Sequence, residues 1–413
     1  MASPPSGRVI IDSTGDALVT LNNSGVAFGA WNEPLYIADN SGDTRTEGFG
    51  DDFACREERD GAESPSWMKW GETLKHDERE QPEPQDHPQV PSLSDSWIQK
   101  SSAATDSVEL DASTAIVYQV SLAHLATASP TFRMELQSCR KHQKDHDGFS
   151  RLECSDWDPE AFEILLNTLH TRYRRVPKQL TLELLAKVAV MVEHYKCWEA
   201  FEPISQTWIR HVRVHHPMPS AYCRELMLWM LIAWVFKLPK EFTKTTTLAL
   251  QQCTESRIQD MGLVIPPSIL QALENRRLRV IEEIIETFNK WIDEFSDTYI
   301  CKVDANLTFE CSSILLGALM KQMRNIGILS LRAVAPFDGF SIENVYESVK
   351  MLKSPIWETY DEINELYPIK HSCGFQGTIV RDVEHILARV KGLSLNDFLN
   401  YSEGMDELTL GCA

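Results

Sequence analysis

The sequence predicts an α+β protein: a small sheet near the start, then a mainly α-helical remainder. Three observations carry this. Short apolar runs bounded by turn formers occupy residues 8–31 and 107–120, the pattern of half-buried strands. From Asp158 onward, apolar residues recur at three- and four-residue spacing, which gathers them on one face of a helix. Between the strand-like stretches, residues 38–106 lose both patterns and carry 17 Asp and Glu against 7 Lys and Arg. Low hydrophobicity with net negative charge predicts disorder there. Trp67, Trp70 and Trp97 read as incidental aromatics in that segment, with a short partner-binding motif as the alternative.

Taken in order, residues 8–21 read as a hairpin arm or as two short strands, with Asp12-Ser13-Thr14-Gly15-Asp16 as the turn. Val26 to Trp31 reads as a further strand, and Ile116, Tyr118 and Val120 alternate as another. Leu122, Leu125, Phe132, Met134 and Leu136 predict helices around a break at Ser129-Pro130. Asp158-Pro159 is an acidic cap followed by proline at the first helical position, with Ala161, Phe162, Leu165, Leu166 and Leu169 on the apolar face. Thr181 caps the next helix, and Phe201, Ile204, Trp208, Ile209 and Val212 mark the one after. Residues 221–252 add an apolar and a shorter amphipathic helix. The longest helix runs from Pro266-Pro267 to about Phe295, and Ser312–Asn325 and Val380–Val390 follow, with irregular chain between. No internal repeat is present.

Composition excludes several classes. Hydrophobic residues at 43% and charged residues at 24% fit a folded globular chain and not a collagen-like or coiled-coil fibre. A net charge of −20 disfavours direct nucleic-acid contact and anionic membrane surfaces. The longest apolar run, Leu226–Phe236, is too short to cross a bilayer and reads as a buried helix. The start, MASPPSGRVIID, lacks a basic-then-apolar leader pattern. The ten cysteines have no dense framework and read as reduced thiols or metal ligands of an intracellular protein, in cytoplasm or nucleus.

The ordered motifs resemble a BTB/POZ domain. Leu125-x-x-x-Ser129-Pro130-x-Phe132 is similar to the segment that closes the first helix of that fold. Leu152-x-Cys154-x-x-x-Asp158-Pro159-x-Ala161-Phe162-x-x-Leu165-Leu166 is similar to its strand-to-helix step, and Gly15-Asp16-Ala17-Leu18-Val19 to its first strand. Ala27-Phe28-Gly29-Ala30-Trp31-Asn32-Glu33-Pro34, Glu183–Ala189, Tyr195–Ala200, Arg224–Trp229 and Glu310–Gly317 resemble a fungal subgroup of the family. Two departures stand out. Ser121 occupies a position where many members carry histidine, and Asn167–Arg172 replaces a common F-I-Y-T-G run.

The resemblance implies a BTB/POZ-like N-terminal unit followed by an α-helical C-terminal region. Its parts are the first strands in 1–37, an acidic insertion in 38–106, the rest of the unit in 107–216, a helical extension in 217–262 and an α-helical domain in 263–413. An insertion at a surface loop costs little, because closure entropy grows only with the logarithm of its length. The implied function is a non-enzymatic protein–protein interaction module, either a ubiquitin-ligase substrate adaptor that binds a cullin scaffold or a transcription-linked regulator. Self-association through an isologous face is also implied. A purely structural homo-oligomer is the alternative. A thiol enzyme using Cys311 is a third reading, since a helix start lowers a thiol pKa. No G-x-S-x-G, Walker A, G-x-G-x-x-G or H-E-x-x-H pattern occurs.

Four sets of residues are candidates for local chemistry. Asp16 reads either as the buried aspartate of a BTB charge pocket or as a turn residue. Arg172, Arg174, Arg175 and Lys178, with Tyr173, read as an exposed loop or as a contact for an acidic partner. His211, His215 and His216, beside Arg210 and Arg213, read as a solvated helix end, with a metal or phosphate site as the alternative. Cys301, Cys311, His371 and Cys373 are the candidate metal ligands: three thiolates and one imidazole suit tetrahedral zinc. His371 and Cys373 are two apart, so in extended chain they point to one side. The C-x9-C spacing lacks a tight knuckle, and the halves lie about sixty residues apart. Buried reduced cysteines beside a satisfied histidine are the alternative.

Overall fold

Four short strands build one sheet: β1 (Arg8–Ile10), β2 (Ala17–Asn22), β3 (Ile116–Val120) and β4 (Ser150–Ser155), in the order β1-β3-β2-β4. The computed structural model describes residues 8–22, 27–31, 115–138, 147–327, 335–361 and 364–399. The acidic segment expected at 38–106 and the strand-like residues 107–114 lie outside the described residues. Strand β3 runs antiparallel to β2 and parallel to β1, and β2 runs parallel to β4. The first two strands are therefore two separate short strands with β3 between them, and not a hairpin. The turn residues tighten the chain between them: Thr14 donates its N–H and hydroxyl to Asp12, each at 2.8 Å. Residues 27–31 form no strand.

Ala17, Val19, Leu21, Tyr118 and Val120 turn inward from the sheet and are buried. Against them pack α1 (Leu122–Ala128), α2 (Pro130–Ser138) and α3 (Pro159–Leu169). Ser129, between α1 and α2, is fully buried: its hydroxyl accepts the Phe132 N–H at 3.1 Å and donates to the Tyr195 carbonyl at 2.5 Å. Helix α4 (Leu182–His194) starts at the Thr181 cap, and α5 (Trp198–His215) follows after Cys197, which is buried at the junction. The apolar run lies in α6 (Arg224–Val235), where Leu226 to Val235 are all buried.

Asp158 fixes the start of α3. Its carboxylate accepts the Ala161 N–H at 3.0 Å and pairs with Lys187 Nζ at 2.9 Å. Lys187 also pairs with Glu183, which holds Arg224, whose guanidinium donates to the carbonyls of Phe28 and Gly29. Gly29 sits at φ +57°, a conformation that glycine adopts without strain. Burial raises the Asp158 pKa, but bonds from Ala161 and Lys187 outweigh it and leave the carboxyl below its ordinary range. Its stabilisation is thus present at neutral pH and lost as pH falls through the folded-state value. Asp158→Ala is expected to cost about 1–2 kcal/mol at pH 7. The deficit should shrink below about pH 4, measured by urea unfolding at both pH values. A deficit independent of pH would show that charge plays no part.

The chain continues through α7 (Pro239–Gln252), α8 (Pro267–Asp293), α9 (Thr308–Ile326) and α10 (Ile342–Lys350). A two-stranded antiparallel hairpin, β5 (Glu358–Asp361) and β6 (Asn364–Lys370), precedes α11 (Arg381–Leu387). The fold is α+β, as the patterning requires. Helix α10 and the hairpin occupy the stretch expected to be irregular. Helix α9 begins four residues earlier than the sequence pattern places it. The segment Lys391–Leu393 is tied to α7 and α8: Gly392 and Leu393 donate to Thr247 and Thr246 hydroxyls, and Arg276 donates to two carbonyls. Among the described residues, no helix is long and apolar enough to cross a membrane.

Candidate metal centre

Cys301, Cys311, His371 and Cys373 are brought together from three separate stretches, and all four are buried. Cys301 follows a π-helical turn, Glu294–Thr298, that ends the long helix α8. Its backbone N–H donates to the Thr308 hydroxyl at 3.1 Å, and its sulfur accepts the Asp304 N–H at 3.4 Å. Cys311 lies in the opening turns of α9 with no exposed surface. His371 and Cys373 come just past the end of β6.

The distances are short. Cys301 Sγ lies 3.3 Å from His371 Nδ1 and 3.9 Å from Cys373 Sγ. One ligand atom each from Cys301, Cys311 and His371 falls within 4.8 Å of the others, a group that could hold a metal ion. Cys373 stands outside that group of three, with its sulfur beside that of Cys301. The Tyr299 hydroxyl and the Lys302 N–H donate to its sulfur as well.

The electrostatics differ among the thiols. Burial pushes the Cys311 thiol far up, and the neighbouring sulfurs of Cys301 and Cys373 add to the effect. Burial also raises Cys373, but the donors from Tyr299, Lys302 and the other two thiols outweigh it and hold that thiol below its ordinary value. Of the two, the Cys373 thiol is the easier to ionise and Cys311 the harder. The sequence reading gave Cys311 a helix-stabilised thiolate; because α9 starts at Thr308, Cys311 lies at its fourth residue, where the end effect has largely faded. A proton held by burial makes it a poor nucleophile.

Three groups around the site carry no sequence signal, two of them from the hairpin and its entry and one from the end of α8. The Trp357 ring stacks on His371 with centroids 3.6 Å apart, and the Trp357 carbonyl accepts the His371 N–H at 3.1 Å. Thr359 Oγ1 lies 3.3 Å from His371 Nε2. Tyr299 is the third residue. No motif marks them, because a two-stranded hairpin of mixed polar residues has no strong periodicity of its own.

The other candidates fall apart or stay on the surface. Asp16 is exposed and not buried, and its carboxylate accepts the N–H of Leu122, the first residue of α1, at 2.9 Å. His211 and His215 stack on exposed α5, with centroids 4.0 Å apart. Arg174, Arg175 and Lys178 are exposed on a loop pinned by the Trp208 Nε1–H donating to the Pro177 carbonyl at 2.7 Å. The two departures noted in sequence meet in space: the Ser121 N–H donates to His170 Nε2 at 2.9 Å, while His170 Nδ1 lies 2.8 Å from the Leu166 carbonyl. Burial lowers the His170 pKa, which suits a neutral ring that accepts at one nitrogen and donates at the other. No protein-family model, curated protein or solved structure matches the chain.

Proposed function

We propose that this chain is a non-catalytic protein-binding scaffold of the BTB/POZ kind whose C-terminal helical region is locked by one structural zinc ion. The observation that carries the zinc reading is the spacing of the ligand atoms. Bonds of ~2.3 Å to sulfur and ~2.0–2.1 Å to nitrogen at tetrahedral angles put sulfurs ~3.8 Å apart and sulfur ~3.6 Å from nitrogen. The separations here are 3.9 Å and 3.3 Å. Cys301, Cys311 and Cys373 would bind through sulfur and His371 through Nδ1. Cys301, Cys311 and His371 form the group whose ligand atoms all lie within 4.8 Å of one another; Cys373, outside that group but 3.9 Å from Cys301, would have to close on the ion as the fourth ligand of a structural site. Backbone N–H groups from Lys302 and Asp304 aimed at sulfur support it, since they stabilise the thiolate form that an ion requires.

The scaffold reading draws support from the chain order of the sheet and helices: three strands, two helices, a fourth strand, then a helical cluster. Its partners on this reading are proteins, a cullin scaffold or a second copy, met inside the cell. The test uses the full chain. About one equivalent of zinc in the purified protein, and capture of a cullin scaffold by that same preparation, are the expected results. Less than about a tenth of an equivalent removes the zinc. Folded protein that captures no cullin removes the adaptor role.

A further inference from the structure

We propose that Thr359 and Trp357, on the β5–β6 hairpin, are the positioning residues that turn His371 Nδ1 toward the metal and set the affinity of the centre. This rests on the zinc reading above and adds to it the device that orients the one nitrogen ligand.

Imidazole has two nitrogens, and either can bind an ion; the hydrogen bond made by the other decides which. Here Nδ1 faces Cys301 Sγ at 3.3 Å, and Nε2 faces Thr359 Oγ1 at 3.3 Å. A neutral ring that donates Nε2–H to the threonine hydroxyl leaves the Nδ1 lone pair free for the ion. The hairpin register explains why these groups meet. Glu358 pairs with Lys370 and Thr359 with Ile369. One step further along the ladder, Trp357 stands opposite His371, and its carbonyl accepts the His371 N–H at 3.1 Å. Trp357 and Thr359 are two apart and share a face, so His371 has Trp357 as its opposite neighbour and Thr359 as its diagonal one. The indole, stacked at 3.6 Å and 22° to the imidazole, blocks rotation of the ring. Ring position is thus fixed by one polar and one aromatic contact, both from β5 and its entry. Groups that orient a ligand histidine in this way commonly alter metal affinity by 10–100-fold when removed.

The experiment measures zinc affinity of the full chain by competition with a chromophoric chelator, for the unsubstituted protein, Thr359→Val and Thr359→Ser. Valine keeps the shape and lacks the hydroxyl; serine restores it. The expected result is affinity weakened by about 10–100-fold in Thr359→Val and held within about threefold in Thr359→Ser. Long-range proton–nitrogen NMR correlation of the zinc-loaded protein should show Nδ1 as the bound nitrogen of His371. Should Thr359→Val lose the native circular dichroism, Trp357→Leu carries the same affinity test with the same expectation. Zinc affinity unchanged in the folded variant, or ligation through Nε2, overturns the inference and leaves the structural zinc standing. Absence of zinc binding by the unsubstituted chain overturns both.

Discussion

On the zinc reading, treating the purified protein with a strong chelator is expected to lower its unfolding midpoint by roughly 5 °C. An ion present at a thousand times its dissociation constant stabilises the form that binds it by ~4 kcal/mol, and with ~2.1 cal/mol/K of unfolding entropy per residue each kcal/mol moves the midpoint of a 413-residue chain by about 1 °C. The effect should be large because the ligands come from the end of α8, the start of α9 and the stretch after β6. Without the cation, burial opposes three adjacent thiolates, and it raises the Cys311 thiol in particular. Added zinc should restore the midpoint, and magnesium should not, since it prefers oxygen ligands. Differential scanning calorimetry of the full chain before and after chelation reads the shift. A midpoint unmoved by chelator would mean that the four side chains are packed thiols beside a satisfied histidine.

Arg277→Met is expected to destabilise the protein by about 3–5 kcal/mol, the range for breaking a buried charge from its partners. Arg277 lies on α8 with no exposed surface. Its guanidinium pairs with Glu274 at 2.8 Å and donates to the carbonyls of Pro336, Phe340 and Ser256 at 2.8, 3.1 and 3.3 Å. Methionine fills similar volume but leaves the carboxylate and three carbonyls without that donor. Arg277→Lys should fall between, because a single ammonium cannot reproduce the planar fork. Urea unfolding with an unchanged slope and a lower midpoint is the readout. A loss below about 1 kcal/mol would show that water reaches these groups when the guanidinium is gone.

Arg277 also shows where sequence reading stops. Its spacing within α8 places it on the same face as Leu273, Val280 and Ile281, yet a charge on an apolar face gives no hint of its partners. Those partners lie 59 and 63 residues downstream and 21 upstream. The missed helix α10 is short, and its signals are a serine cap and the three buried positions Ile342, Val345 and Val349. The hairpin at β5–β6 was missed for a related reason: its stability comes from pairing with itself and from the Trp357–His371 stack, neither of which leaves a periodic trace.

The sequence by itself determined the α+β class, the capped starts at Asp158 and Thr181, the buried run of α6 and the identity of the four metal-ligand candidates. Each of these is local: a cap, a period or a residue type acts within a few positions of the chain. Only the tertiary structure decided that β3 separates β1 from β2, since strand order depends on pairing between distant segments. It alone decided that Cys301, Cys311, His371 and Cys373 converge, because about sixty residues of α9, α10 and the hairpin must fold back before the two halves meet. It also decided which thiol ionises more readily: helix position argued for Cys311, but burial raises that thiol, while the surroundings of Cys373 outweigh burial and lower it. Ionisation follows the surroundings of the sulfur in space, and those are assembled from parts of the chain that local pattern does not connect.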